Sequence, residues 1–256
     1  MSRPAPVQVA PGVHRLGDHS VNFYLIEDPD GLVLIDTGMP AHFEQLRGLL
    51  TDLGRSLADV RAVLLTHGHL DHTGLAHTVQ QAGADIWVQR QDAAILHDGP
   101  RGASRHSKPE RSMLPYVLRR PSTLVLPLQM ARAGAFSAPA VQNTRDFDGD
   151  QVVMAEVPGA PQAVALPGHT AGSAAYLFAD RGLLFTGDAL VTEDQFAGRT
   201  GPTLVSCCFT HDGKAALAAL DRIDELKADL LLPGHGDPFA DGVQAATRQA
   251  RQYGVH

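Results

Sequence analysis

Arg61-Ala-Val-Leu-Leu-Thr-His-Gly-His-Leu-Asp-His72 is the stretch on which the reading of this chain turns. Ala62 to Leu65 form an apolar run with the length and composition of a buried strand, and the run stops at Thr66. Four side chains able to bind a cation, His67, His69, Asp71 and His72, then follow within six residues. Each needs a hydrogen-bond partner if buried, so a chain requiring only a loop here would more cheaply use Gly, Asn or Ser. A cation satisfies all four together. Imidazole and carboxylate are ligand types that suit Zn, and also Fe or Mn. The i, i+2 spacing of His67 and His69 fits an irregular loop, not the helical i, i+4 pair of an HExxH protease. These residues therefore belong to a loop at a strand end.

The same arrangement recurs downstream. Ala163-Val-Ala-Leu-Pro-Gly-His169, Leu183-Leu-Phe-Thr-Gly-Asp188 and Leu230-Leu-Leu-Pro-Gly-His235 each run from an apolar strand through small turn residues to one ligand-type side chain. Four such strands predict one sheet edge or rim where His67, His69, Asp71, His72, His169, Asp188 and His235 converge. Seven ligands are too many for one tetrahedral ion and about right for two. Upstream, Leu32-Val-Leu-Ile-Asp36 reads as a strand, and Phe43, Leu46, Leu49, Leu50 and Leu53 recur at helical spacing up to Gly54. Asp36 has two readings: a cap for that helix, or a carboxylate that orients a ligand imidazole.

Strands are predicted over Gly12–Leu16, Val21–Glu27 and Asp85–Val88, and helices over Thr73–Gln81, Gln91–Leu96, Asp212–Leu226 (with Asp212 as N-cap) and Val243–Tyr253. Val191–Phe209 reads as a Gly/Thr-containing loop, and Asp98–Lys108 as a Gly, Ser, Pro and Arg-rich loop. Residues 98–145 form a long segment between the ligand loop and the next strand, rich enough in apolar residues to be ordered. They are read as a lid over a substrate, a dimer interface or extra core. Ser173 near His169 lacks any serine-hydrolase motif and reads as structural.

Composition narrows the class. The chain has 256 residues, a 44% hydrophobic and 19% charged content, and a net charge of −7, the profile of an ordinary globular protein read here as one domain over 1–256. Negative charge without a Lys/Arg block argues against nucleic acid as a partner. Met1–Leu16 carries three prolines and no apolar core of a secretory signal. Pro158–Ala179, the longest stretch free of charged residues, is broken by Pro and Gly, so no membrane partner is expected and the chain is read as soluble. Adjacent Cys207 and Cys208 cannot form a relaxed disulfide, which points to a reducing compartment, the cytoplasm. Both thiols read as small apolar core groups.

The sequence resembles the metallo-beta-lactamase-fold superfamily. Leu34-Ile-Asp-Thr-Gly38, Thr66-His-Gly-His-Leu-Asp-His-Thr-Gly74, Gly168-His-Thr-Ala-Gly-Ser173, Phe185-Thr-Gly-Asp188 and Pro233-Gly-His-Gly236 carry the resemblance. It implies an αββα sandwich, two mixed sheets with outer helices and the metal site on one edge. It also implies His67, His69 and His169 as ligands of a first metal, Asp71, His72 and His235 of a second, and Asp188 as the bridge. A bridging carboxylate is unlike the true beta-lactamases and similar to glyoxalase II, acyl-homoserine lactonases and the phosphodiesterases of the superfamily. The 21 residues after His235 are too few for the helical glutathione-binding domain of glyoxalase II, and Leu190 and Val191 stand where lactonases carry a Tyr. Persulfide dioxygenases share the His-x-His-x-Asp-His string and use one iron; their Gly-Arg-Thr-Asp-Phe-like segment is partly echoed by Gly198-Arg-Thr-Gly-Pro202.

The expected cofactor is thus a pair of divalent ions, zinc first, with iron or manganese as alternatives. Two such ions lower the pKa of a bridging water toward about 7, giving a hydroxide that attacks an ester, thioester or lactone. Asp188 and Asp71 are the expected catalytic carboxylates, the first as bridge, the second as proton shuttle. A mononuclear iron persulfide dioxygenase-like oxidoreductase, a phosphodiesterase and a non-catalytic metal-binding protein are the rival expectations. The expected partner is a small molecule with an apolar or acyl part, and a homodimer is left open.

Overall fold

The computed structural model describes residues 4–256, so the first three residues of the Met1–Leu16 reading lie outside it. Strands β1 (Val7–Ala10), β2 (Val13–Gly17), β3 (Asn22–Asp28), β4 (Gly31–Ile35), β5 (Val60–Leu64), β6 (Asp85–Gln89) and β7 (Arg145–Phe147) make a mixed sheet in that order. Pairing is antiparallel from β1 to β4 and parallel from β4 to β7. A second mixed sheet takes β8 (Gln151–Val153), β9 (Gln162–Ala165), β10 (Ala174–Phe178) and β11 (Leu183–Gly187). After a hairpin of β12 (Val191–Asp194) and β13 (Arg199–Thr203), β14 (Leu230–Pro233) joins that sheet parallel to β11.

Alternation along the strands builds the layers. Tyr24, Ile26, Val33, Ile35, Ala62 and Leu64 point from the first sheet onto Tyr176, Phe178, Leu183, Phe185 and Leu232 of the second. The other face of the first sheet buries Leu25, Leu34 and Val63 against α1 (Phe43–Asp52), α2 (Ala76–Gln81) and α3 (Arg90–Asp98). Within the insertion between β6 and β7 lie α4 (Ala103–His106), α5 (Leu114–Arg119) and α6 (Val125–Arg132). The outer face of the second sheet packs Val164, Leu177 and Leu184 on α7 (Gly213–Asp224) and α8 (Val243–Tyr253). This is the expected αββα sandwich, and each fully buried Leu, Ile or Phe in it contributes roughly 1.5–3 kcal/mol. Asp212 caps α7 by accepting from the Ala215 amide at 2.9 Å.

Three expectations need correction. Val191–Phe209 is not only a loop: Val191 pairs with Thr203, and Thr192 and Thr200 add β-branched residues to the β12–β13 hairpin, which turns at Gly198. Asp98–Lys108 contains a 3₁₀ turn at Gly99–Arg101 and the single turn of α4. The four strands that lead into ligand loops do not share one sheet. β5 lies in the first, and β9, β11 and β14 in the second, so the rim belongs to both.

Hydrogen bonds staple the two sheets at that rim. Tyr176 Oη donates to the Leu65 carbonyl at 2.7 Å, the Ala174 amide to Thr66 at 2.8 Å, and Tyr24 Oη to Pro233 at 2.8 Å. The loops that carry the ligand-type side chains are thereby tied together just before those side chains diverge from the backbone.

Candidate metal centre

All seven residues singled out in the sequence meet at the rim. Their nitrogens and oxygens fall into three groups whose atoms lie within 4.8 Å of one another: His67, His69 and His169; His67, His72 and Asp188; and Asp71, His72 and His235. His69 Nδ1 and His169 Nε2 face each other at 2.8 Å. Asp188 is central, with Oδ2 3.0 Å from His235 Nε2, 3.4 Å from His169 Nε2 and 3.9 Å from His67 Nε2, and Oδ1 3.4 Å from His72 Nε2. Asp71 Oδ2 stands 3.7 Å from both His72 Nε2 and His235 Nε2.

Outer contacts decide which atoms face inward. Asp36 resolves its two readings in favour of orientation. Its carboxylate accepts from the Thr66 amide and hydroxyl, each at 2.8 Å, and from His72 Nδ1 at 2.9 Å. Thr66 Oγ1, its proton committed to Asp36, in turn accepts from His67 Nδ1 at 3.0 Å. Both imidazoles are therefore locked with Nε2 turned inward. His235 is fixed the same way, its Nδ1 donating to the Ser20 carbonyl at 2.5 Å. Asp36 holds this position at φ 56°, left-handed backbone that few residues other than Gly adopt.

Asp92 on α3 escaped the sequence reading. Its side chain is fully buried and accepts from the Gly68 amide at 2.8 Å, the Gly172 amide at 2.8 Å and the Thr170 hydroxyl at 2.7 Å. One carboxylate thus bridges the loop of His67 and His69 to the loop of His169. A carboxylate among the apolar positions Ala93, Ile95 and Leu96 was the available signal. Ser173 is structural, as read: its Oγ accepts from the Thr170 amide at 2.9 Å.

The donor set fits a cation. Nε2 of His67, Nε2 of His72 and Oδ1 of Asp188, all facing the centre, are buried without a hydrogen-bond partner, a density of orphan polar atoms that folded proteins avoid. Electrostatics divides the candidate ligands. Burial drives His67, His69 and His169 below the ordinary imidazole range, keeping them neutral with a free lone pair. Burial also opposes charge on His72 and His235, but Asp188 and Asp71 outweigh it, with Asp36 adding to the effect on His72. The result is about 10 for His72 and about 9 for His235. Asp188 stays well below the carboxylate range despite burial, because His235 and His72 favour its anion.

Beside the centre opens a cavity of about 370 Å³ reached by His69, Asp71, His169, Asp188 and His235. The insertion supplies Ser104, Ser107, Met113, Leu126, Pro127, Met130 and Phe136 to its wall, and the hairpin region supplies Glu193, Asp194, Gln195 and Phe196. No Lys or Arg lines it among the described residues.

A sequence model of the metallo-beta-lactamase superfamily matches residues 16–235. The chain belongs to that superfamily. Among curated proteins it is similar to the probable metallo-hydrolase YflN of Bacillus subtilis, 25% identical over 92% of this chain and 88% of that one. Hydroxyacylglutathione hydrolase GloC of Haemophilus influenzae is 27% identical over 69% of this chain and 67% of its own. Of solved structures, the metallo-beta-lactamase family protein TTHA1429 of Thermus thermophilus superposes with a TM-score of 0.68 at 25% identity, covering 96% of this chain and 80% of its own. The metallo-hydrolase relatives and the His and Asp cluster together support a metal-dependent hydrolase in general, with side chains suited to divalent metal.

Proposed function

We propose that this member of the superfamily is a dinuclear metal-dependent hydrolase that cleaves an uncharged ester, thioester or lactone with an apolar acyl group. The observation that carries the reading is the set of seven inward-facing donors around Asp188, which outnumbers the needs of one ion. His67, His69 and His169 would hold one ion, Asp71, His72 and His235 the other, and Asp188 both; zinc is the proposed metal, since imidazole-rich sites suit it. When bound, such a pair acidifies water and polarises the scissile oxygen.

The protein's own groups supply the remaining chemistry. Asp71, partly exposed where the centre meets the cavity, is placed to take the proton of the attacking water and deliver it to the leaving group. Met113, Leu126, Met130 and Phe136 exclude water from the acyl side. Away from the proposed ions the cavity wall carries Glu193 and Asp194 and, among the described residues, no Lys or Arg to pair with a substrate anion, which disfavours carboxylate or phosphate substrates. That argues against glutathione conjugates, the class GloC is named for, and against beta-lactams and phosphodiesters, and leaves thioesters of uncharged groups within the proposal. Buried, unpaired Cys207 and Cys208 support a reducing, cytoplasmic setting.

Metal analysis combined with a hydrolysis panel of aryl esters of increasing acyl length, acyl thioesters, lactones, phosphodiesters and beta-lactams tests this. Two equivalents of metal and a preference for uncharged acyl substrates, abolished by chelator, are expected. Preference for anionic substrates, or a single iron with oxygen uptake in place of hydrolysis, would sink the proposal.

A further inference from the structure

We propose that the outer face of the insertion docks on an anionic lipid surface, its leucines entering the interface and its arginines meeting the headgroups. Seven of the ten large apolar side chains exposed among the described residues lie between Met113 and Phe136. On α6, Leu126 and Met130 share the cavity side, whereas Val125 and Leu128, with Leu124 just before the helix, turn the other way and are 48%, 49% and 60% exposed. On α5, Tyr116 is buried while Leu114 and Leu118, one turn apart, are 61% and 73% exposed. A helix apolar on all sides is ordinarily covered on all sides. Here one flank closes the cavity and the other is bare.

Charge selects what covers it. Residues 99–144 hold seven of the 21 Lys and Arg but one of the 28 Asp and Glu, a net of +6 within a chain of −7, which leaves −13 on the remainder. Arg119 and Arg132 are exposed beside the bare leucines. A two-fold contact with a second copy sets +6 against +6, and a head-to-tail contact with the acidic remainder would build a ring or filament and not a dimer. Nucleic acid answers the charge but gives the leucines nothing. An anionic bilayer answers both, and repels the acidic remainder so that the insertion faces it. The expectation of no membrane partner rested on the lack of a spanning segment; no helix among the described residues is long and apolar enough to cross a membrane, and surface docking needs none. The bare face and the cavity wall are two sides of one helix, so docking would bring lipid-dissolved acyl compounds to the cavity mouth. That last clause rests on the acyl-hydrolase reading; the docking does not.

Co-sedimentation of the metal-loaded full chain with phosphatidylglycerol/phosphatidylcholine vesicles tests it, with pure phosphatidylcholine vesicles as the control. Binding to the anionic vesicles alone, weakened by added salt, is expected. The double substitution Leu118→Ser with Leu128→Ser should lower partitioning at least about tenfold, and Arg119→Gln or Arg132→Gln about fivefold each. Thermal unfolding and hydrolysis of a water-soluble short ester should stay at wild-type values in all of them, since none of these residues lines the cavity. Failure to sediment with anionic vesicles overturns the proposal, as does undiminished binding by the double variant. A stable dimer in analytical ultracentrifugation that the double variant dissolves would assign the face to a second copy. Loss of ester hydrolysis across the substrate panel with vesicle binding intact would refute the functional reading and leave the docking standing.

Discussion

Replacing Asp92 with Ala removes the carboxylate that joins two ligand loops without touching any proposed ligand. Three donors lose their acceptor: the Gly68 and Gly172 amides and the Thr170 hydroxyl. The hydroxyl can turn to Ser173 Oγ, already 2.8 Å away, but the two amides are fixed by the backbone and buried. Each orphaned buried donor costs about 1–3 kcal/mol, so a loss of about 2–6 kcal/mol is expected from a total stability of about 5–15 kcal/mol. Gly68 lies between His67 and His69, and Thr170 follows His169, so the same change loosens the first metal position. Outer partners of metal ligands are typically worth about 10–100-fold in affinity. Asp92→Asn keeps one acceptor oxygen but turns an NH₂ toward the other donors, and should fall between wild type and Asp92→Ala. Urea unfolding with and without metal, together with metal titration against a competing chelator, measures both effects. If Asp92→Ala stays within about 0.5 kcal/mol of wild type, the range of an ordinary surface substitution, and binds metal unchanged, the bridge between the loops has no energetic content.

The other expectations are briefer. His67→Ala or Asp188→Ala should abolish turnover while circular dichroism stays native; wild-type rates in either would remove the assignment of the centre. His72 and His235 titrate higher in the metal-free fold, about 10 and about 9, than in the unfolded chain near 6.5. Their contribution to metal-free stability is therefore complete below about pH 6.5 and fades as pH rises through 9 and 10. Metal affinity should rise over the same window as those protons become easier to displace, and pH-dependent unfolding with and without chelator reads both. Gly234→Ala places a Cβ 2.3 Å from Asp188 Oδ1 and 2.8 Å from His72 Cε1, so metal content should drop even if the chain folds; an unaltered content measured by mass spectrometry would contradict the crowding. Burial pushes Cys208 up to about 12 and raises Cys207 as well, so iodoacetamide at pH 8 should label neither thiol in the native protein and both in denaturant.

Local chemistry alone was enough to mark the seven donor residues, because a cation site demands side chains that a loop otherwise has no reason to hold. The apolar runs that become β5, β9, β11 and β14, and the periodicity behind α1, α7 and α8, are equally local. Long-range pairing decided the rest. That the four strands divide between two sheets depends on cross-sheet bonds such as Tyr176 to Leu65, a separation of 111 residues. Asp36 could be told apart from a helix cap only once His72 and Thr66 lay against it, and Asp92 gained its meaning from two loops about a hundred residues apart. The candidate ligands were legible in short motifs because coordination chemistry restricts residue type. Ligand orientation, the acidic and apolar lining of the cavity, and the bare flank of the insertion are properties of neighbours that only folding brings together.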